Sequence, residues 1–272
     1  MSLLRQTTEH ASAAARKLLI PYLVAGDPNL ATTLTLMHEL VAQGADVIEL
    51  GIPFSDPSAD GPVIQRGVER SLKNGTSLSS VLQLVTQFRQ ADAVTPVVLM
   101  GYLNPIEIMG YQTFAQAAKQ AGVDGVLTVD MPPAESGELT ALLRAQDIDT
   151  IFLVAPTTSA ARAQTIIQQT SGYLYYVSLK GVTGATLTDY DSVTANIETL
   201  RKLTDLPIVI GFGIKDAQSA SAMALLADGI IIGSALVEQI AKLANQEEHE
   251  ASAITQAAAV IGIARESINN IK

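Results

Sequence analysis

Short apolar runs recur along the chain, separated by longer stretches whose apolar positions repeat every three to four residues. The first kind reads as buried strands and the second as helices with one apolar face. A short helix over residues 3–16 leads into a strand, Leu18 to Gly26, which Asp27-Pro28-Asn29 ends while capping a helix at about 30–43. A second strand, Asp46–Gly51, opens into a proline-rich loop, followed by helical patterns at about 62–73 and 77–91. Pro96–Gly101 is the third strand, then come the loop Tyr102–Pro105 and a helix at about 111–121. Strands Val126–Asp130, Thr150–Ala155, Tyr173–Leu179, Pro207–Gly211 and Gly229–Gly233 follow, with helices at about 134–146, 159–170, 189–203 and 216–226 between them. An alanine-rich helix at about 250–269 closes the pattern.

Eight apolar strands alternating with helices, without a break in composition, predict a parallel sheet buried on both faces. Eight such units in roughly 250 residues predict one (β/α)8 TIM barrel over residues 1–272. It carries an extra N-terminal helix and extra helices around strands two and eight. The competing doubly wound sheet wants a glycine-rich turn after strand one, and Asp27-Pro28-Asn29 is not one.

Composition narrows the chemistry. A hydrophobic share of 48% suits a well-filled core, and a net charge of −10 disfavours nucleic acid and anionic membranes as partners. The chain has no cysteine, which removes thiolate metal sites and thiol catalysis. Its three histidines, His10, His38 and His249, fall in outer helices, so no metal site is expected. No apolar run reaches about 18 residues, which predicts a soluble cytoplasmic protein.

The most informative stretch runs from Val47 to Pro62. Glu49 interrupts an apolar strand, and a carboxylate there costs several kcal/mol unless it is paired or its pKa rises. A strand-end glutamate reaching water would be the plainer reading. Asp60, in the loop behind it, brings a second acid to the same strand end. Alternation places Val47, Glu49 and Gly51 on one face, with Ile48 and Leu50 packed against helices, so Glu49 points into the barrel mouth. The same parity groups Tyr173, Tyr175 and Val177, and Leu127 with Val129.

A second signal is anionic. Gly213 follows strand seven, Gly233 and Ser234 follow strand eight, and Gly184 lies after strand six. Singly these glycines read as ordinary turns. Three loops meeting at one corner, with Ser234 opening a short helix, predict a phosphate site. Tyr22, Met100, Leu127, Leu153, Tyr175, Phe212 and Ile232 would line a greasy pocket between that corner and the acids. Each alone also suits core packing. Asp56 and Asp130 read as capping or partner contacts rather than as catalytic groups.

Glu49-Leu50-Gly51-Ile52-Pro53-Phe54-Ser55-Asp56-Pro57 with Ala59-Asp60-Gly61-Pro62, Pro21 to Pro28, Met100 to Pro105, Asp130 to Glu135, Gly181 to Gly184 and Gly211 to Ile214 resemble the tryptophan synthase alpha subunit family, in order and at family spacing. The resemblance spans about residues 18 to 240 and implies retro-aldol cleavage of indole-3-glycerol phosphate to indole and glyceraldehyde 3-phosphate. It implies Glu49 as the acid/base and Asp60 as the partner of the indole N–H. It places Phe212, Leu127 and Ile232 around the ring, Tyr175 beside Glu49, and Gly184, Gly213 and Ser234 at the phosphate. Thr183 would meet Asp60 from a lid over Lys180 to about Leu187. No cofactor is expected in this chain. The resemblance implies an αββα complex whose beta subunit carries pyridoxal phosphate, faced by Pro53, Asp56, Asn104, Pro105 and Pro132. Ser178-Leu179-Lys180 departs from the family, which commonly has an arginine after that serine. Other phosphate-binding barrels would need a strand-end lysine that no strand here carries. A partner-independent indole lyase stays open as an alternative. Intact Glu49 and Asp60 argue against a purely regulatory alpha-like protein.

Overall fold

The computed structural model describes residues 2–177, 190–211, 213–245 and 251–271. Its strands are β1 (Leu18–Val24), β2 (Ile48–Gly51), β3 (Val97–Gly101), β4 (Gly125–Thr128), β5 (Asp149–Ile151), β6 (Leu153–Val154), β7 (Leu174–Val177), β8 (Ile208–Gly211) and β9 (Gly229–Ile232). All pair in parallel, in the order β5-β4-β3-β2-β1-β9-β8-β7-β6. Only Phe152 separates β5 from β6, and its carbonyl accepts the Tyr175 N–H at 3.1 Å. The two segments are therefore one stave, and the ring of pairing closes on eight. The expected TIM barrel is borne out.

The helices are α1 (Leu3–Ala13), α2 (Leu30–Ala42), α3 (Pro62–Lys73), α4 (Leu78–Arg89), α5 (Leu103–Met109), α6 (Tyr111–Ala121), α7 (Gly137–Ala145), α8 (Ala160–Gln169), α9 (Tyr190–Arg201), α10 (Ala217–Leu226), α11 (Ser234–Ala241) and α12 (Ala251–Asn269). The extra helices stand where the pattern puts them, α3 with α4 after β2 and α11 with α12 after β9. One element differs. The stretch Tyr102–Pro105 reads as a loop, yet α5 starts at Leu103. Asp130 Oδ1 accepts the Leu103 N–H at 2.8 Å, and Pro105 falls in the first turn, where its missing N–H costs nothing.

Strand parity divides the core into two layers. Leu19, Leu23, Ile48, Leu50, Ile230 and Ile232 pack outward against helices. Leu18, Ile20, Tyr22, Val47, Val98, Leu127, Tyr173, Tyr175 and Ile231 fill the barrel. Each fully buried aliphatic side chain contributes about 1.5–3 kcal/mol. The N-terminal helix stoppers the barrel: Leu4 is fully buried in the inner cluster, beside Gly125 and Gly172. Asp46 ties the lower rim together, accepting from Arg16, from Arg265 of α12 and from the Leu19 N–H. Among the described residues no helix is long and apolar enough to cross a membrane.

Candidate active site

Glu49 lies on the inward face of β2, directly opposite Tyr22 of β1 in the parallel register. It is fully buried. The Tyr173 hydroxyl donates to its Oε1 at 3.0 Å, while Oε2 is buried without a partner among the described residues. Burial favours the uncharged acid and raises its pKa to about 7, against the smaller lowering from the Tyr173 hydrogen bond. This agrees with the upward shift expected for an acid in an apolar mouth.

Asp60 lies on the loop after β2. The structure places it half-buried, and burial raises its pKa to about 6, opposed by a 3.1 Å hydrogen bond from the Tyr102 hydroxyl. The reason is local folding: Asp60 N–H donates to the Pro57 carbonyl, and Gln65 Nε2 donates to the Asp60 carbonyl at 2.8 Å, so the loop folds back over the mouth. Burial thus raises both acids, Glu49 to about 7 and Asp60 to about 6.

The third component lies across the mouth. Gly213 has φ +79, a conformation open to glycine, and Gly233 leads into α11. The first turn of α11 has no side-chain cap, so its N–H groups lack a capping acceptor from the N-cap residue. Among the described residues, Ser234 Oγ is buried without a hydrogen-bond partner. A buried hydroxyl at an uncapped helix start is arranged to receive an anion's oxygens.

One cavity joins these parts, lined by Tyr22, Glu49, Asp60, Met100, Tyr175, Gly213, Gly233 and Ser234. Tyr22 spans it: the ring lies against Gly233, and the hydroxyl reaches over Gly51, where an added Cβ would come within 2.4 Å. Tyr175 covers Gly211 in the same way, at 2.2 Å.

Other expected residues fall elsewhere. Leu127 is buried in the inner cluster and is absent from the cavity lining. Leu153 packs on that cluster and lines a neighbouring cavity with Val129 and Asp130. Ile232 faces outward into the helix layer; the residue of β9 that lines the cavity is Ile231, because the inward parity of β9 falls on odd positions. Thr183, Gly184 and Phe212 lie outside the described residues, as does the lid expected from Lys180 to Leu187. Of the residues expected to face a partner, Asp56, Asn104 and Pro132 are exposed, Pro105 is half-buried and Pro53 is buried.

Sequence reasoning passed over Val63, Ile64, Ile214, Lys215, Ala235 and Glu238, which also line the cavity. Val63 and Ile64 open α3 immediately after Asp60, and that adjacency was the available signal. Tyr102 gave no signal: its bond to Asp60 spans 42 residues. Among the described residues no cluster of His, Asp or Glu could hold a metal ion.

A buried proton donor, a second acid and an anion cradle around one apolar cavity can break a carbon–carbon bond by proton transfer in a phosphorylated substrate. Comparisons with known proteins agree. The family model for the tryptophan synthase alpha chain matches residues 8–265. The alpha chain of Thioalkalivibrio sulfidiphilus is 56% identical over 242 residues, 89% of this chain and 91% of that one. That of Methylococcus capsulatus is 54% identical over 261 residues, 96% and 98% of the two chains. The crystal structure of the subunit alpha from Legionella pneumophila superposes with a TM-score of 0.91 at 43% identity, covering 100% of both chains. The chain thus belongs to the tryptophan synthase alpha chain family, lyases of tryptophan biosynthesis.

Proposed function

We propose that this chain, acting as a single domain, cleaves indole-3-glycerol phosphate to indole and D-glyceraldehyde 3-phosphate, with Glu49 and Asp60 as its catalytic residues. The observation that carries this reading is the shared cavity, in which Glu49 Oε2 and Ser234 Oγ are both buried without partners. The phosphate sits at Gly213, Gly233 and Ser234, with Gly184 as a further contact, and Thr183 meets Asp60. The glycerol chain runs along Tyr22 towards the acids. The indole ring lies among Met100, Tyr175 and Ile231, with Phe212, Leu127 and Leu153 as further contacts.

The chemistry follows from the two acidities. Protonated Glu49 gives its proton to indole C3, and the ring becomes an iminium cation. Ionised Asp60 accepts a hydrogen bond from the ring N–H and stabilises that charge. Glu49, now a carboxylate, takes the proton of the carbinol hydroxyl. The bond from C3 to the carbinol carbon breaks, its electron pair returns to the ring as the C2–C3 double bond, and the carbinol becomes the aldehyde. Glu49 ends protonated, so protons and electrons balance without a cofactor on this chain. Buried acids of raised pKa are suited to such transfers near neutral pH.

The indole passes to a tryptophan synthase beta subunit, which carries pyridoxal phosphate, in a cytoplasmic αββα assembly. Family membership supports this arrangement, as do the exposed Asp56, Asn104 and Pro132 beside the mouth. The deciding experiment measures indole formation from indole-3-glycerol phosphate, alone and with a beta chain, for the parent chain and Glu49→Gln. Comparable indole release by the variant would overturn the mechanism.

A further inference from the structure

The Tyr102 hydroxyl makes two hydrogen bonds of fixed direction. It accepts the Ala59 N–H at 2.9 Å, and it donates to Asp60 Oδ2 at 3.1 Å. Because a backbone N–H occupies one of its lone pairs, the phenol proton is turned to the carboxylate. That bond engages one oxygen of the carboxylate, Oδ2. The phenol ring is 4% exposed and packs on Phe54 at 5.3 Å between centroids, so it has little freedom to swing away.

Tyr102 is itself held from a third loop. It is the N-cap residue of α5 but supplies no side-chain cap. Asp130, just after β4, does so instead by accepting the Leu103 N–H at 2.8 Å. The loops after β2, β3 and β4 are thereby joined in a line from Asp130 through Tyr102 to Asp60. The other titratable groups facing Asp60 are Tyr22 from β1 and Tyr175 from β7, with Glu49 of β2, Lys215 after β8 and Glu238 of α11 on the same cavity. Tyr102 is the one side-chain donor to Asp60 among the described residues.

We propose that Tyr102 is a positioning residue that holds Asp60 ionised with one oxygen aimed at the indole N–H, and that Asp130 sets Tyr102 by anchoring the first turn of α5. The proposal rests on the role given to Asp60 above. It also gives Asp130 a purpose that its position in the sequence leaves open.

The test compares kcat/KM for indole release from pH 5 to 9 in the parent chain, Tyr102→Phe, Asp130→Ala and Asp130→Asn, each with a beta chain present. Inorganic phosphate affinity and Tm are measured on the same samples. Tyr102→Phe should lower kcat/KM by about tenfold on the acidic side, the scale of one hydrogen bond to a charged group. Its acidic limb should move to higher pH, because the ionised carboxylate loses its donor. Phosphate affinity should stay within about twofold of the parent's. Asp130→Ala should move the limb the same way by less, and Asp130→Asn, which keeps an acceptor oxygen, should not move it. An acidic limb that stays in place in Tyr102→Phe overturns the proposal, even if turnover falls. Should that variant fail to fold, an unmoved limb in Asp130→Ala overturns it instead. A parent chain that releases no indole overturns the functional reading, and this proposal with it.

Discussion

Tyr173 and Glu49 stand 124 residues apart in the chain and meet inside the barrel, phenol to carboxyl, at 3.0 Å. The bond takes one oxygen of a fully buried acid and leaves the other facing the cavity without a partner. An acid in that position is a held proton beside an empty space. Its neighbour Asp60 is half-buried, and burial raises it to about 6.

Replacing Glu49 with Gln removes the proton donor but keeps size and the ability to bond Tyr173. Indole release should fall by roughly 10³-fold, the scale of general acid–base catalysis. Inorganic phosphate should bind as before, since the Ser234 corner is untouched. Steady-state kinetics and phosphate titration check both halves.

Activity should need Glu49 protonated and Asp60 ionised. The profile of kcat/KM against pH should be a bell with an acidic limb near 6 and a basic limb near 7. A profile flat from pH 5 to 8 would contradict this pairing.

The same burial has a stability consequence. Glu49 rises from its usual 4.5 to about 7 on folding, so the folded chain holds that proton more tightly than the unfolded one. The resulting stabilisation is complete below about pH 4.5 and is lost as pH climbs through about 7. Glu49→Gln should gain roughly 2–3 kcal/mol on the parent between pH 5 and 8. Urea unfolding of both chains across that range measures it.

Ser234→Ala removes a buried hydroxyl that has no partner in the empty site. The ligand-free variant should be as stable as the parent or slightly more so, because an unsatisfied buried hydroxyl costs about 1–3 kcal/mol. Its KM should rise by about tenfold with kcat little changed, the result of losing one bond to a charged phosphate. Thermal melts with and without inorganic phosphate separate the two effects.

At the lower rim, Asp46 answers two guanidinium groups, Arg16 and Arg265, and the Leu19 N–H. Asp46→Ala leaves the buried Arg265 without its carboxylate and should cost about 3–5 kcal/mol. In a chain of this size that lowers Tm by about 10 °C. Per-molecule activity at low temperature should survive, since the mouth lies at the other end of the strands.

Much of this was legible before any fold was known. Alternation put Glu49 inward on β2, and Tyr173 with Tyr175 inward on β7, because side-chain parity is a local property of a strand. Ile232, expected at the pocket, packs outward instead. Three consecutive isoleucines carry no polar mark of which face is which, and only pairing with β1 shows that Ile231 turns inward. The glycines and Ser234 marked the corner proposed for phosphate, since an uncapped helix start after a strand is a local feature as well.

What the chain alone determined, then, is the set of staves, their inward faces and the residue types able to do acid–base and phosphate chemistry. What only the tertiary structure decided is which distant groups meet. Tyr173 at Glu49, Tyr102 at Asp60, Leu4 beneath the barrel and Arg265 at Asp46 are all contacts across the closed ring. Pattern and propensity act over a few residues, whereas burial, and with it the acidity of Glu49 and Asp60, exists only once the eight staves enclose a space.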